Sequence, residues 1–428
     1  MNPSLHQAIL DELNVARDKS RPAVPWRSFS KREWDHALTW LDLSGLAIYF
    51  ANRIRNSSGP NTLPDDVWTN LDERSAGNQL RTLSIVQELA VLTESFAQAR
   101  VNYAVLKGIA LLPDYCPDPA LRTQYDHDVL VDTASLADAE TALQNAGYRR
   151  KSGNEGESCV VYRRPEPQIR FSTDSEGLYS PDLSRSIELH LTLWEETEDK
   201  IRLNLPDDFL ERRVLREWDG MQFAALCDED CLLFQILHAF KHIVRNWCRL
   251  SIFLEIAFFL KRRASDAVFW NNFAERMDAL RWAPEASLVV FALAEQLFGA
   301  TVPRQLLASF NTPRAPALIL WIERYGRRAA LSNFHGDKCS LFLHREFVED
   351  PADWADIRRR RLFPIQRPHR PPAVVFQRGF STAGRLWMEN IHALRRLIFH
   401  GFAGLRYALE YPRWSLLRRL RLAGFGDA

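Results

Sequence analysis

The sequence predicts an α+β fold: a small mixed-sheet core embedded in α-helical regions on its N- and C-terminal sides. Three observations carry this. Apolar residues recur at three- and four-residue spacing through the first hundred positions and again beyond Asp207. Short β-branched and aromatic runs cluster between Val101 and Leu193, and a single helical stretch interrupts them. With 428 residues, 46% hydrophobic and 25% charged, the chain has apolar mass for a sizeable core and length for two or three domains. The pattern divides it into an N-terminal helical region (1–100), a sheet core (101–205), a helical region packing on that core (206–345) and a basic C-terminal region (346–428).

Each element has a local reason. "WDHALTWLDLSGLAIYFANRI" and "NQLRTLSIVQELAVLTESFAQA" carry the helical period, separated by the Gly/Pro-punctuated loop "NSSGPNTLPDD". "VNYAVL" and "DHDVLV" read as strands, with a glycine and prolines between them. "TASLADAETALQNAG" reads as a capped helix stopping at Gly147. "SCVVYRR", "QIRFS" and "RSIELHLTL" are further strand candidates. From Asp207 the helical period returns, in "EDCLLFQILHAFKHIVRNW", "RLSIFLEIAFFLKRR" and "PEASLVVFALAEQLFG". "RRRRLFPIQRPHRPP" is basic, proline-rich and expected to be irregular.

Composition excludes several classes. No stretch approaches the ~20 apolar residues of a membrane span, and the opening "MNPSLHQAILDELNVARDK" is acidic and polar where a signal peptide is basic and then apolar. A cytoplasmic protein is expected. Cys227 and Cys231 sit at helical spacing with no second pair to complete a metal site, so the six cysteines read as reduced thiols. The net charge of +1 hides an asymmetry: from Arg358 onward fifteen arginines face three acids, leaving that segment near +12 and the remainder near −11.

The chemistry concentrates at Asp126 and Asp128. In a strand, side chains alternate, so these two carboxylates project to one face and His127 and Val129 to the other. Two acids this close repel unless water or a cation lies between them, and a divalent metal is the natural resolution. A D-x-D pair is short and common, and its ordinary reading is a pair of water-facing strand-end acids. Context favours the metal. Lys107-Gly108 ends a strand, where glycine allows close backbone approach and a following helix start offers N–H groups to an anion. Arg122 adds a fork suited to phosphate, and Glu188 in "IELHLTL" supplies a third acid from another strand.

"VLKG", "LR", "D-x-D-x-LV", a helix ending in "AGY", then "ELH", with "LHAFKH" and "FLEIAFFL" beyond, together resemble a bacterial nucleotidyltransferase-like family of the DNA polymerase beta superfamily. The resemblance extends from the N-terminal helices to about Phe363. It implies a mixed sheet presenting Asp126 and Asp128 on one strand and Glu188 on its neighbour, with all three as catalytic and metal residues. Mg²⁺ (or Mn²⁺) would bind there with a nucleoside triphosphate. Glu188 would help hold a second ion and activate an acceptor hydroxyl, while Lys107, Gly108 and Arg122 would meet the phosphates. Two ions ~3.5–4 Å apart stabilise the attacking and leaving oxygens of an in-line displacement. The chain has Lys-Gly where the wider superfamily has Gly-Ser, His127 where an apolar residue is usual, and glutamate as third acid.

Other candidates read more simply. His238 and His242 have zinc-pair spacing, but "HAFKH" lacks the glutamate of H-E-x-x-H and no third ligand is evident; packing against the sheet region is favoured. The same helix can also flank the site, bringing Lys241 or His242 near a nucleotide. His190 shares the strand face of Glu188 as a supporting partner or a core histidine, and Glu255 reads as a buried acid paired with Arg249 or His242. The tail from Gly384 to Gly424 mixes arginines with Trp, Phe and Leu, suiting an anionic membrane surface, nucleic acid or a helical pair on the acidic remainder.

The reading is an Mg²⁺-dependent nucleotidyltransferase moving a nucleoside monophosphate onto an unidentified hydroxyl acceptor: a sugar, small molecule, protein or RNA. Its rivals are a catalytically inactive nucleotide-sensing or scaffold protein of the same fold, and a peripheral membrane or RNA-binding protein acting through its tail.

Overall fold

A computed structural model describes residues 4–16, 24–57, 59–152, 158–165, 176–181, 185–332, 338–363 and 382–424. The strand candidate "QIRFS" and the proline-rich 364–372 lie outside them. The α+β class is observed. Among the described residues seven strands form one mixed sheet: β1 (Tyr103–Val105), β2 (Asp126–Val131), β3 (Arg149–Ser152), β4 (Cys159–Arg163), β5 (Ser186–His190), β6 (Val214–Trp218) and β7 (Met221–Ala225), in the order β3-β4-β5-β2-β1-β7-β6. The central pair β2–β5 is parallel, with Asp128 opposite Glu188.

The two sheet faces have different neighbours. Val129 and Val131 join Ile187, Leu189, Val160 and Tyr162 in a core closed by the helix Leu136–Asn145 and by Leu89, Leu92 and Phe96 of the long helix Asp65–Gln98. On the opposite face Ala104, Leu106 and Leu130 enter the larger helical core, where the helices Asp228–Val244, Leu250–Arg262 and Ala283–Phe298 pack. Strand alternation thus sends Asp126 and Asp128 toward the helices.

Three expectations are corrected. Helical structure expected from Asp207 begins at Asp228; residues 214–225 instead form the β6–β7 hairpin, which extends the sheet beyond position 205 through β7 pairing with β1. Its turn, Asp219-Gly220, has φ of 49° and 76°, the positive pair that a two-residue hairpin with native twist requires. The arginine run Arg358–Arg361 is helical: Asp350 caps the helix Pro351–Leu362, proline occupies its first position, and the cations crowd its C-terminal turn, where the helix dipole favours them. The tail forms one helix, Thr382–Leu422, not a pair. Tyr407 and Trp414 dock it on Phe342 at 5.0 and 5.4 Å, and Arg418 makes a bidentate pair with Glu346.

Candidate active site

The long helix holds the strand that carries the aspartates. Asn78 Nδ2 donates to the Ala120 and Arg122 carbonyls at 2.7 and 3.2 Å, and Arg81 donates Nε and Nη2 to the Gln124 carbonyl at 3.0 and 2.7 Å. Two turns further along the same face, Glu88 meets His127 Nε2 at 3.1 Å and also accepts from Arg185 Nε at 2.7 Å and from the Tyr148 hydroxyl. Burial opposes ionisation of Glu88, yet His127 and these donors together hold its carboxyl far below the ordinary glutamate value. The polar ring between the aspartates is therefore anchored on the back of the sheet, where an apolar contact was expected.

On the front, Asp126, Asp128 and Glu188 converge: one oxygen from each lies within 4.8 Å of the others. Lys107 Nζ donates to Asp128 Oδ1 at 2.9 Å, and His190 Nε2 lies 2.9 Å from the same oxygen. Asp128 Oδ2 is buried without a hydrogen-bond partner. Burial penalises the Asp128 charge, but Lys107 and His190 outweigh it and hold its pKa well below the usual aspartate range. Asp126 moves the other way, raised by burial and then by the Asp128 charge, and Glu188 is raised by burial and by both aspartates. An orphaned buried oxygen amid three converging acids is a donor set suited to a hard divalent cation. Cys159, Glu188 and His190 form a second close set sharing Glu188; the Cys159 thiol is pushed up to about 12 by burial and by the Glu188 and Asp128 charges.

These acids lie in the wall of a cavity of about 500 Å³, bounded by the sheet and the helices Asp228–Val244 and Leu250–Arg262. Among the described residues the cations Lys107, Arg122, Lys241, Arg245 and Arg249 line it. Lys241 is lowered by burial and by the neighbouring Arg245 charge. His238 and His242 are here as well, their Nε2 atoms 2.9 Å apart, and His242 is lowered to about 4, chiefly by burial. The "HAFKH" helix thus flanks the carboxylates.

Not every candidate sits as expected. Gly108 is outside this cavity wall and begins only a four-residue 3-10 turn; a Cβ there would meet Gln124 Oε1 at 2.5 Å, so the close approach it permits is to a side chain. Arg122 lines the cavity, but its Nε is 3.2 Å from Glu255, which also accepts from Tyr49 at 3.0 Å. Glu255 is therefore paired with Arg122, not with Arg249 or His242. Arg249 instead donates to Thr123 and lies 5.2 Å from the Tyr125 ring, whose centroid is 5.0 Å from Arg81. Trp247, 54% exposed beside the cavity, was missed from sequence, where it closes a helical run; the helix itself ends at Val244 and leaves Trp247 in the loop that follows.

Fold and site together define a class: an α+β protein whose mixed sheet displays clustered carboxylates into a cation-lined cavity. The model of a family described as uncharacterised nucleotidyltransferase matches residues 30–299, more than half of the chain, and the chain belongs to that family. The match stops short of Phe363. Comparisons with curated proteins and with solved structures found no match.

Proposed function

We propose that the protein is an Mg²⁺- or Mn²⁺-dependent enzyme of the DNA polymerase beta superfamily, moving a nucleoside monophosphate from a nucleoside triphosphate to a hydroxyl acceptor. The observation that carries this is the meeting of Asp126, Asp128 and Glu188 within 4.8 Å around a buried, unpartnered oxygen. These three residues would hold the cation, which when bound neutralises charge on the phosphates and favours an ionised acceptor hydroxyl.

The chain's own groups supply the rest. An acceptor oxygen attacks the α-phosphorus as the bond to the β-phosphate oxygen breaks, and pyrophosphate leaves. Glu188, with its proton affinity raised by burial and two neighbouring acids, is suited to take the hydroxyl proton. Lys107, Arg122 and Arg249 offer positive charge to the polyphosphate, and Lys241, disfavoured as a cation by burial and Arg245, gains from an anion beside it. Trp247 at the cavity edge offers a stacking face to a base.

A thermal-shift titration with Mg²⁺ and each nucleoside triphosphate tests this on the wild type and on Asp126→Ala with Asp128→Ala. A triphosphate at ~100 times its dissociation constant should add about 2.7 kcal/mol of stability. The expected result is an Mg²⁺-dependent shift that the double variant loses, with pyrophosphate release once an acceptor is supplied. Absence of a shift with every triphosphate would overturn the proposal.

A further inference from the structure

From Leu394 to Leu420 the helix Thr382–Leu422 has two unlike faces. Tyr407 and Trp414 are buried against Phe342, and Arg418 pairs with Glu346, which fixes the inner face. At 3.6 residues per turn, Leu397, Ile398, Phe402, Leu405, Leu409 and Leu416 fall within an arc of about 140° on the opposite side. They are among the most exposed apolar side chains described: Leu397 is 69% exposed, Phe402 70% and Leu409 71%. From Leu394 to Leu420 the exposed stripe is about 39 Å long at 1.5 Å per residue. Scattered surface leucines need no account, whereas a continuous stripe of this length does.

Charge identifies what covers it. Arg395 and Arg413 lie at one edge of the arc and Arg419 within it near the C-terminal end, all exposed. Between Ile391 and Gly424 the one acid is Glu410, and it is turned inward to accept from the Tyr325 hydroxyl at 2.8 Å. A second copy fits poorly: in an antiparallel pair the two-fold axis brings the Arg395–Arg413 edges of both copies to the same side, like charge on like. Nucleic acid also fits poorly, since phosphate binding places cations outermost and this arc is outermost in leucine and phenylalanine. No described helix is long and apolar enough to cross a membrane. We propose that the outer face of this helix lies in the interface of an anionic lipid bilayer, its leucines and Phe402 among the acyl chains and its arginines at the headgroups. The inference is independent of the nucleotidyl-transfer reading, because none of these residues lines the carboxylate cavity.

The test is flotation of the full chain with vesicles of phosphatidylcholine alone or with one third phosphatidylglycerol. Two variants are compared with the wild type: Leu397→Gln with Phe402→Gln and Leu409→Gln, and Arg395→Gln with Arg413→Gln and Arg419→Gln. All six side chains are exposed, so the melting midpoint should stay unchanged and serves as the folding control. Expected are binding to the anionic vesicles, a loss of about tenfold or more in the apolar variant, and a loss of the anionic preference and salt sensitivity in the arginine variant. Equal flotation of wild type and apolar variant would overturn the proposal. So would a lipid-free dimer, seen by light scattering, that the apolar variant dissolves. Retention on RNA without flotation would overturn it too.

Discussion

Asparagine at Asp126 and at Asp128 should change the stability of the metal-free protein in opposite directions, although the residues are two positions apart. Asp126 faces Asp128 and Glu188 within 4.8 Å and has its pKa raised by burial and by Asp128. Two full charges at 4.8 Å repel by about 3.5 kcal/mol at an effective dielectric constant of about 20. Partial protonation and water relieve some of this, so Asp126→Asn should stabilise the metal-free protein by about 1–3 kcal/mol. Asp128 instead holds Lys107, whose side chain is 12% exposed, and His190. Asp128→Asn leaves a buried ammonium without its carboxylate, at a cost of about 3–5 kcal/mol. Urea unfolding with a chelator at about pH 8, where the raised acids are most charged, reads both. A midpoint shift of the same sign in the two variants, or a loss of stability in Asp126→Asn, would refute the account of the carboxylates as a mutually repelling set with one paired member.

Two further outcomes follow from buried groups away from the cation-lined wall. His344 is buried, donates from Nε2 to the Asp199 carbonyl at 2.7 Å, and is lowered to about 4, first by burial and then by the Arg361 charge. Since its folded value lies below the unfolded one of 6.5, the unfolded chain binds this proton first. Its contribution is full above pH 6.5 and is lost as pH falls toward 4, by about 3 kcal/mol at 1.36 kcal/mol per unit. His344→Gln keeps a donor and should remove that part of the slope in urea midpoints measured across the window; an unchanged slope counts against it. Glu88→Ala strips the carboxylate from Arg185, His127 and Tyr148 and should destabilise by about 3–5 kcal/mol while weakening the Mg²⁺-dependent nucleotide shift. A loss under about 1 kcal/mol in equilibrium unfolding would show that the back-face network does not hold β2.

The geometry of the candidate site was legible where it follows from local alternation. Asp126 and Asp128 share a strand face by period, and "ELH" on a second strand placed Glu188 and His190 together. What stayed hidden depended on distant partners. Nothing in the sequence singled out Asn78, Arg81 and Glu88, because a polar residue bonded to a loop looks the same in sequence as one bonded to water. The pairing of Arg122 with Glu255 spans 133 positions and has no local signature. The β6–β7 hairpin is a different case: Asp219-Gly220 is a turn signal in plain view, overridden by the strong helical period that follows it.

The long helix behind the sheet grips the aspartate strand at Glu88 and the loop leading into it at Asn78 and Arg81, all on one side of a cylinder, while Leu80, Leu83 and Val91 remain on its outer side. One residue inserted between the first and last of these grips would turn everything beyond it by about 100° and advance it by about 1.5 Å, so that Glu88 would point away from His127. This stretch is thus open to substitution on its outer surface and closed to any change of length, so its evolution is confined to exchanging letters without adding or losing them.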